Sequence, residues 1–96
     1  MEHLESKEKG ITISTVELDR GNPFVGVVDA LMGLPHTYET AIKNEEYNSN
    51  RWVIVETYET EKKAREGHEK WINQAKKGLP NKIKDVNINK DFKKER

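Results

Sequence analysis

The sequence predicts a small α+β domain in which one amphipathic helix packs on one face of a three-stranded antiparallel sheet. Short runs rich in Ile, Val, Thr and aromatic residues recur between turn-forming residues, a pattern typical of strands. The last of these runs is followed by apolar residues at spacings of three and four, which indicates a helix. A chain of 96 residues is long enough for one such domain, since domains typically have about 50 to 200 residues.

Composition limits the classes of protein to which this chain can belong. Charged residues make up 35% of it and apolar residues 33%, so a small sheet with one or two helices is near the limit of stability. The absence of cysteine excludes disulfides, thiolate metal ligands and cysteine nucleophiles. No apolar run reaches the roughly 18 residues of a membrane span, and Met1–Gly10 lacks the apolar centre of a signal peptide. We therefore expect a soluble, cytoplasmic protein.

The first strand is predicted at Ile11–Leu18, which is rich in Ile, Thr and Val. Residues 1–10 before it are polar and are expected to form a disordered lead. The apolar phase of the strand shifts between Ile13 and Val16, which predicts either a bulge or a strand covered on both faces. Residues 19–23 then end the strand with a turn.

Phe24–Leu34 is the longest apolar stretch of the chain, and periodicity does not decide between helix and strand for so short a run. Its two glycines favour a loop with a short helix around Val27–Met32. Such a segment is buried either against its own domain or against a second copy, because exposed apolar patches usually mark interfaces. The second possibility predicts interface or ligand contacts at Phe24, Val25, Val28, Leu31, Met32, His36 and Tyr38.

Two further strands and the helix follow. Thr37–Lys43 alternates and predicts the second strand, and Arg51–Tyr58 predicts the third after an Asn-rich loop of hairpin length. The helix is expected over Glu61–Lys77, with Thr60 as its N-cap and Gly78 as the residue that ends it.

Residues 11–80 therefore form the predicted domain, and residues 81–96 form a basic tail that is largely extended or disordered. Lys82–Asn89 either adds a short strand or stays extended, and Asp91–Arg96 is expected to be disordered. The single helix covers one face of the sheet. The opposite face is then polar, covered by Phe24–Leu34, or buried in an oligomer.

Three helix residues are predicted to contact the sheet: Gly67, His68 and Trp71. His68 lies on the apolar face of the helix, where a neutral ring bonded to a backbone carbonyl is the usual arrangement; a general base or a ligand is the alternative. Gly67 costs roughly 1 kcal/mol of helix stability relative to alanine, so a close approach of helix and strand is expected to offset it. Trp71 and Trp52 are both expected to anchor the core or its edge.

No combination of residues has the spacing of a known reactive site. His3, His36 and His68 do not form a metal-binding pattern. Ser14 and Thr15 lie in a strand without a nucleophile elbow or a matched base. A Gly-rich phosphate-binding loop is also absent. We therefore expect no catalytic residue, no cofactor and no metal ion, in a protein that is not an enzyme.

The net charge is zero, but the two signs are unevenly distributed. Met1–Gln74 contains fourteen acidic and nine basic residues, whereas residues 75–96 contain eight basic and three acidic residues. Such a basic tail can pair with the acidic body, with another copy or with a polyanion. Base stacking is weakly supported, because Phe92 is the only aromatic residue of the tail.

Four motifs follow one another along the chain: Ser14-Thr15-Val16, Leu18-Asp19, Tyr38-Glu39-Thr40 and Tyr58-x-Thr60-x3-Ala64-x2-Gly67-His68. In this order they resemble a family of small uncharacterised proteins encoded by tailed bacteriophages. The resemblance spans roughly residues 11–75, and the last motif is the specific one. The chain departs from the family pattern at Arg20, where histidine is usual, at Tyr38, where phenylalanine is usual, and at Phe24–Leu34, which replaces a short glycine-proline loop.

The resemblance implies a phage or prophage origin and a small accessory protein that acts by binding. We expect a non-enzymatic protein of the host cytoplasm that self-associates and binds a host protein or a small host metabolite, for example to counter host defence. The alternative is a nucleic-acid-associated protein that uses the basic residues from Lys76 to Arg96. Neither hypothesis involves a membrane.

Overall fold

The computed structural model describes residues 2–18 and 38–95. Its elements are β1 (Leu4–Glu8), β2 (Ile11–Glu17), β3 (Tyr38–Lys43), a 3-10 turn (Asn48–Asn50), β4 (Val53–Tyr58), α1 (Glu61–Lys77), β5 (Lys82–Asp85) and β6 (Lys90–Lys93). Strands β1 to β4 form one antiparallel sheet in chain order, and β5 and β6 form a separate antiparallel hairpin. Helix α1 packs on one face of the four-stranded sheet. In the part of the chain described, no helix has the length and apolar composition needed to cross a membrane.

The α+β class, with one helix and antiparallel strands, is confirmed, but the prediction of a three-stranded sheet is wrong. Strand β1 adds a fourth strand in the region expected to be a disordered lead, and it pairs with β2 along its whole length. Lys9 and Gly10 join the two strands with φ angles of 51° and 79°, as the tightest hairpin turns require. The sequence concealed β1 because Leu4 is its single apolar residue.

Strand β2 lies between β1 and β3 with an unbroken register on both sides. The phase shift between Ile13 and Val16 is therefore not a bulge in β2. Ile11, Ile13 and Thr15 are buried beneath the helix, and Ser14, on the opposite face, is only 8% exposed. The sequence predicted either a bulge or a strand covered on both faces. The structure has the second arrangement at Ser14.

The register shift lies instead between β3 and β4. Two residues of β4, Val55 and Glu56, span the length of one residue of β3 at Thr40. Side chains of β4 therefore change face at this bulge. As a result, Val53 and Val55 join the apolar core while Glu56 and Tyr58 also face the helix. In a regular strand these two pairs would lie on opposite faces.

Helix α1 has the bounds and the caps that the sequence predicts. Thr60 Oγ1 accepts a 3.2 Å hydrogen bond from the backbone N–H of Lys63, as an N-cap side chain does. Gly78 follows the last turn with a φ of 101°, which L side chains rarely adopt. Its N–H donates to the carbonyl of Ala75, so the C-terminal end of the helix is satisfied as well.

The apolar core lies between α1, the sheet and the hairpin. It consists of Ile11, Ile13, Ile42, Tyr47, Val53, Val55, Ala75 and Ile83. Trp71 packs against this cluster and lies at its edge. Trp52 does not anchor the core: it precedes the inward-facing Val53, points the other way and is 44% exposed.

The hairpin β5–β6 folds residues that the sequence assigned to an extended or disordered tail. Ile83 is 4% exposed and belongs to the core. The extra strand, one of two alternatives for Lys82–Asn89, is present as β5. Disorder was expected from Asp91 onward, but β6 extends to Lys93.

Asp85 fastens the hairpin to the sheet. Its side chain is buried, and Oδ2 accepts a 3.2 Å hydrogen bond from the N–H of Ile54 on β4. Its Oδ1 accepts from the N–H groups of Asn87 and Ile88 in the hairpin turn. One carboxylate therefore stabilises both the hairpin turn and the contact between the hairpin and β4. Bonds from an Asp side chain to the backbone of its own turn are common.

Candidate functional site

A row of polar side chains lies between the helix and the sheet, buried except at its Glu56 end, where the carboxylate side chain is 33% exposed. His68 is 4% exposed, and its Nδ1 lies 2.7 Å from Thr15 Oγ1. Thr15 Oγ1 lies 2.6 Å from Thr40 Oγ1, which lies 3.0 Å from the Tyr58 hydroxyl. The same hydroxyl lies 3.0 Å from a carboxylate oxygen of Glu56. We call these five residues the buried polar chain.

The carboxylate of Glu56, at one end of the buried polar chain, determines which group donates in each of these hydrogen bonds. An ionised carboxylate only accepts, so the single proton of Tyr58 is donated to Glu56. The Tyr58 oxygen therefore accepts from Thr40, and Thr40 accepts from Thr15. Thr15 in turn accepts from the Nδ1–H of His68. The neutral His68 ring is thus assigned the tautomer with its proton on Nδ1.

His68 is held as a neutral ring at neutral pH. Burial lowers its pKa, Glu69 opposes this shift, and His3 adds to it. With the proton on Nδ1, the Nε2 atom accepts from the hydroxyl of Ser6 on β1, 3.0 Å away. The partners of His68 are therefore two hydroxyl groups on separate strands, not the backbone carbonyl expected from the sequence.

Glu56 ends the buried polar chain at a point where three donors meet one carboxylate. Trp71 Nε1 donates to Oε1 at 2.9 Å, and Lys70 Nζ lies 2.6 Å from the same oxygen. Burial raises the pKa of Glu56, but the hydrogen bonds from its donors outweigh burial and the pKa is lowered. Burial, reinforced by Glu56 and opposed by Thr40, raises the pKa of Tyr58 far above its usual value. The carboxylate is therefore ionised and the phenol neutral at neutral pH.

Gly67 provides the space for the Tyr58 ring. A Cβ atom at this position would lie less than 3.0 Å from the hydroxyl oxygen and from two ring carbons of Tyr58. Helix and strand approach each other closely here, and the group that fills the gap is an aromatic ring.

The buried polar chain has the composition of a reactive site but lacks its accessibility. Thr15 and Thr40 are 0% exposed, and each proton of the chain is donated to the next member. A fully satisfied buried network rigidifies a core and specifies its packing. We therefore assign the buried polar chain a structural role.

A second serine–histidine contact lies on the opposite face of the sheet. His3 Nε2 lies 2.6 Å from Ser14 Oγ, a pairing that the sequence spacing did not predict. Glu5 lies 3.9 Å from the same Nε2 atom, whereas the acid of a catalytic triad orients Nδ1. Ser14 also lies in the middle of a strand paired on both sides, so the N–H groups around it belong to the sheet and form no oxyanion hole. The contact lacks the parts of a nucleophilic site.

Carboxylates do not gather into a site either. Glu39 and Glu56 lie on neighbouring strands, but Glu39 pairs with Thr57 on the face away from the helix, while Glu56 faces Trp71. Within residues 2–18 and 38–95, no three His, Asp or Glu side chains are grouped so as to hold a metal ion.

The face of the sheet turned away from α1, which we call the outer face, is best described by its rows across the strands. Its central row contains Glu5, Ser14, Ala41 and Ile54. The row on one side contains Lys7, Thr12 and Lys43, and the row on the other side contains Val16, Glu39 and Thr57. Small side chains thus form the centre of the outer face, between a cationic row and a row that carries a carboxylate.

Three large apolar side chains of the described residues are exposed: Trp52 (44%), Val86 (43%) and Ile88 (59%). Trp52 lies beside the cationic row, and the Nζ atom of Lys43 is 5.6 Å from the centroid of its ring. Val86 adjoins the central row, because its N–H donates to the carbonyl of Ile54 at 2.8 Å. We call Trp52, Ile54 and Val86 the apolar strip, and Ile88 is exposed two residues farther on in the hairpin turn. Val and Ile are not typical turn residues, so local turn preference does not explain their presence at the hairpin tip.

Of the interface residues predicted from the sequence, Tyr38 is among the residues that the structure describes. Phe24, Val25, Val28, Leu31, Met32 and His36 lie outside the described residues. Tyr38 is partly buried at the end of β3, opposite Tyr58. The exposed Val86 and Ile88 were missed as surface residues because both lie in the predicted tail. The sequence feature that could have revealed them is a pair of β-branched residues that alternate with turn-forming asparagines.

No family model, curated protein or solved structure matches this chain. Residues of the sequence motifs nevertheless lie close together in space. Thr15, Thr40, Tyr58 and His68, from three separate motifs, belong to the buried polar chain, and Gly67 packs against it. These motif residues account for the packing of helix on sheet, and a binding surface has to be sought elsewhere on the molecule.

Proposed function

We propose that this protein is a non-enzymatic binding protein that self-associates through the outer face of its sheet. The observation that carries the proposal is the position of the apolar strip at the margin of a face that α1 does not cover. Exposed apolar clusters beside polar residues usually mark interfaces. Tryptophan is among the residues that contribute most to binding energy when an interface buries it.

The charge pattern of the outer face favours a second copy as the partner. Consider two copies that face each other through their outer faces, related by a two-fold axis parallel to the central row. The row of Lys7 and Lys43 of each copy then lies over the row of Glu39 of the other copy. This reciprocity is what a symmetric dimer interface requires. Ala41 is the small side chain around which two sheets can approach to the spacing of about 10 Å found in packed sheets. On the β1 side of the central row His3 covers Ser14, and the two-fold axis sets Glu5 opposite its own copy, so the close contact centres on Ala41.

The non-enzymatic part of the proposal is supported by the buried polar chain, because His68 and Tyr58 are buried and each is hydrogen-bonded to neighbouring side chains. The resemblance to phage proteins supports an accessory role, in which the dimer binds a host protein or a small host metabolite in the host cytoplasm. Such a role needs an exposed surface and no reactive centre.

Sedimentation velocity over a wide concentration range tests self-association. The wild type is expected to sediment as a dimer of the 11.2 kDa chain. Ala41→Arg places a long charged side chain at the centre of the outer face and should give monomers. Trp52→Ser should weaken the dimer by about tenfold or more, as expected for an interface tryptophan.

Asn73→Arg is the matched control, because it adds the same side chain at an exposed position of α1. This variant should remain dimeric. A wild type that is monomeric at every concentration would overturn the proposal. A dimer that survives Ala41→Arg and Trp52→Ser would show that another surface forms the contact.

A further inference from the structure

We infer that the hairpin β5–β6 binds the phosphate backbone of a nucleic acid without reading its sequence. The hairpin is a folded platform fixed to the domain. Ile83 belongs to the core, Phe92 packs against it, and Asp85 bonds to β4. The side chains that the hairpin exposes therefore project from a fixed backbone.

Alternation along the two strands separates the apolar side chains from the lysines. Ile83 and Phe92 lie opposite each other and face the core. Their neighbours along the strands face the other way. This outward face of the hairpin consists of four exposed residues, Lys82, Lys84, Asp91 and Lys93.

Two of these lysines are placed where they repel each other. Lys82 and Lys93 are direct partners across the hairpin, an arrangement that separates Cβ atoms by about 5 Å and destabilises a sheet when the charges are alike. Asp91 lies 3.7 Å from Lys82 Nζ and leaves the outward face with a net positive charge. Among the described residues, Lys84 and Lys93 have no carboxylate within salt-bridge distance. An anion bound between the lysines would turn this repulsion into attraction.

The hollow at the base of the hairpin extends the cationic surface. It is lined by Asn81, Lys82, Lys93 and Lys94. Lys94 pairs with Glu46 at 3.3 Å, whereas Lys82 lies at the longer distance of 3.7 Å from the exposed Asp91. Lys84 and Lys93 are therefore available for new contacts, and Lys82 joins them by exchanging Asp91 for a phosphate. Three phosphate contacts are therefore the number that this surface supports.

The chemistry of the outward face favours phosphates over an acidic protein. Lysine ammonium groups are point charges on flexible stems, which suit contacts to the sugar-phosphate backbone. Specific protein interfaces have a central part that is depleted of charge and rich in apolar residues, whereas all four residues of the outward face are charged. Phe92 faces the core, so stacking on bases contributes nothing to this contact.

Fluorescence anisotropy with labelled single-stranded and double-stranded DNA of mixed sequence tests the inference over a series of salt concentrations. For single strands, three phosphate contacts predict a slope of about −2 for log K against log salt concentration. The triple variant Lys82→Gln/Lys84→Gln/Lys93→Gln should lose at least about tenfold in affinity and most of the salt dependence. The matched control removes the same charge from exposed positions of α1, through Lys62→Gln, Lys63→Gln and Lys77→Gln, and should keep both the affinity and the salt dependence.

Asp91→Asn is a second test with the opposite sign. It removes the carboxylate from the outward face and releases Lys82, so DNA binding should tighten by about twofold to fivefold. This exposed, nearly isosteric change also keeps the inference testable if the triple variant does not fold. The inference would be overturned if the wild type did not bind DNA at low salt. It would also be overturned if the two triple variants lost equal amounts of DNA affinity. Binding of polyglutamate as tight as that of DNA would assign the surface to an acidic protein and would also overturn it.

Discussion

Replacing Gly67 with alanine tests the packing of helix on sheet, because two effects of opposite sign compete there. An exposed helical glycine gains about 1 kcal/mol on replacement by alanine. At Gly67, however, the new Cβ would lie within 3.0 Å of three atoms of Tyr58. Tyr58 is 7% exposed, and its hydroxyl bonds to Thr40 and Glu56. The ring can move away only toward the shallow hollow that it lines with Glu56 and Lys70, and this movement breaks the bonds of its hydroxyl.

The expected net effect of Gly67→Ala is destabilising. Overpacking of a core typically costs about 1–3 kcal/mol, and loss of the hydrogen bond from Tyr58 to the ionised Glu56 costs a further ~1.5–3 kcal/mol. Set against the gain in helix propensity, these costs lower the free energy of unfolding by about 2–5 kcal/mol. For a domain of this size the melting temperature should fall by roughly 10 °C or more.

Guanidinium denaturation followed by far-UV circular dichroism measures this change. Asn73→Ala, at an exposed position of α1, is the control for helix propensity and should be neutral or slightly stabilising. In a Tyr58→Leu background, which removes the three clashing atoms, Gly67→Ala should change from destabilising to stabilising by about 1 kcal/mol. A Gly67→Ala protein that is more stable than the wild type in the presence of Tyr58 would refute the assigned packing.

Four further predictions concern the buried polar chain and the hairpin. His68→Gln should lower the free energy of unfolding by about 1–3 kcal/mol in thermal or chemical melts, because the amide does not match both hydroxyl partners; unchanged stability would contradict the structural role. Since the pKa of His68 is lowered in the folded state, protons bind more tightly to the unfolded state, and stability should fall as the pH drops below about 6.5. His68→Gln should remove this part of the pH dependence, and an unaltered profile would contradict it. Long-range 1H–15N spectra should place the proton of neutral His68 on Nδ1; a proton on Nε2 would invert the assigned bond directions. Asp85→Ala should cost about 2–4 kcal/mol and speed hydrogen exchange at Ile54, whose N–H loses its acceptor; unchanged exchange would show that the junction forms without the carboxylate.

Local signals explain why the sequence predicts α1 so well. The apolar spacing, the Thr60 hydroxyl before the first turn and Gly78 after the last turn all act within a few residues of the backbone they shape. Each of these signals is visible without knowledge of the rest of the fold. The helix and its caps therefore follow from the sequence alone.

Strand β1 and the bulge in β4 depend on partners distant in sequence, and this is why they were missed. β1 has one apolar residue and is stabilised by its pairing with β2 and by the contact of Ser6 with His68. The extra residue Val55 has no local sequence signal, yet it turns Glu56 and Tyr58 toward the helix. The inward direction of His68 was predictable from helix periodicity, but its partners require the register of strands far along the chain.

The buried polar chain also links the interior to the proposed interface. A slip of β3 by one residue against β2 would turn Thr40 to the outer face and leave the Nδ1–H of His68 without its hydroxyl chain. A buried unpaired donor costs about 1–3 kcal/mol, so the chain favours the observed register. That register also turns Lys43 and Glu39, which lie four residues apart on β3, to the outer face, and the reciprocal charge pairing of the proposed dimer depends on this orientation. A variant such as His68→Gln that weakens self-association therefore does not place His68 in the interface. Only changes on the outer face itself, such as Ala41→Arg with Asn73→Arg as its control, assign the contact.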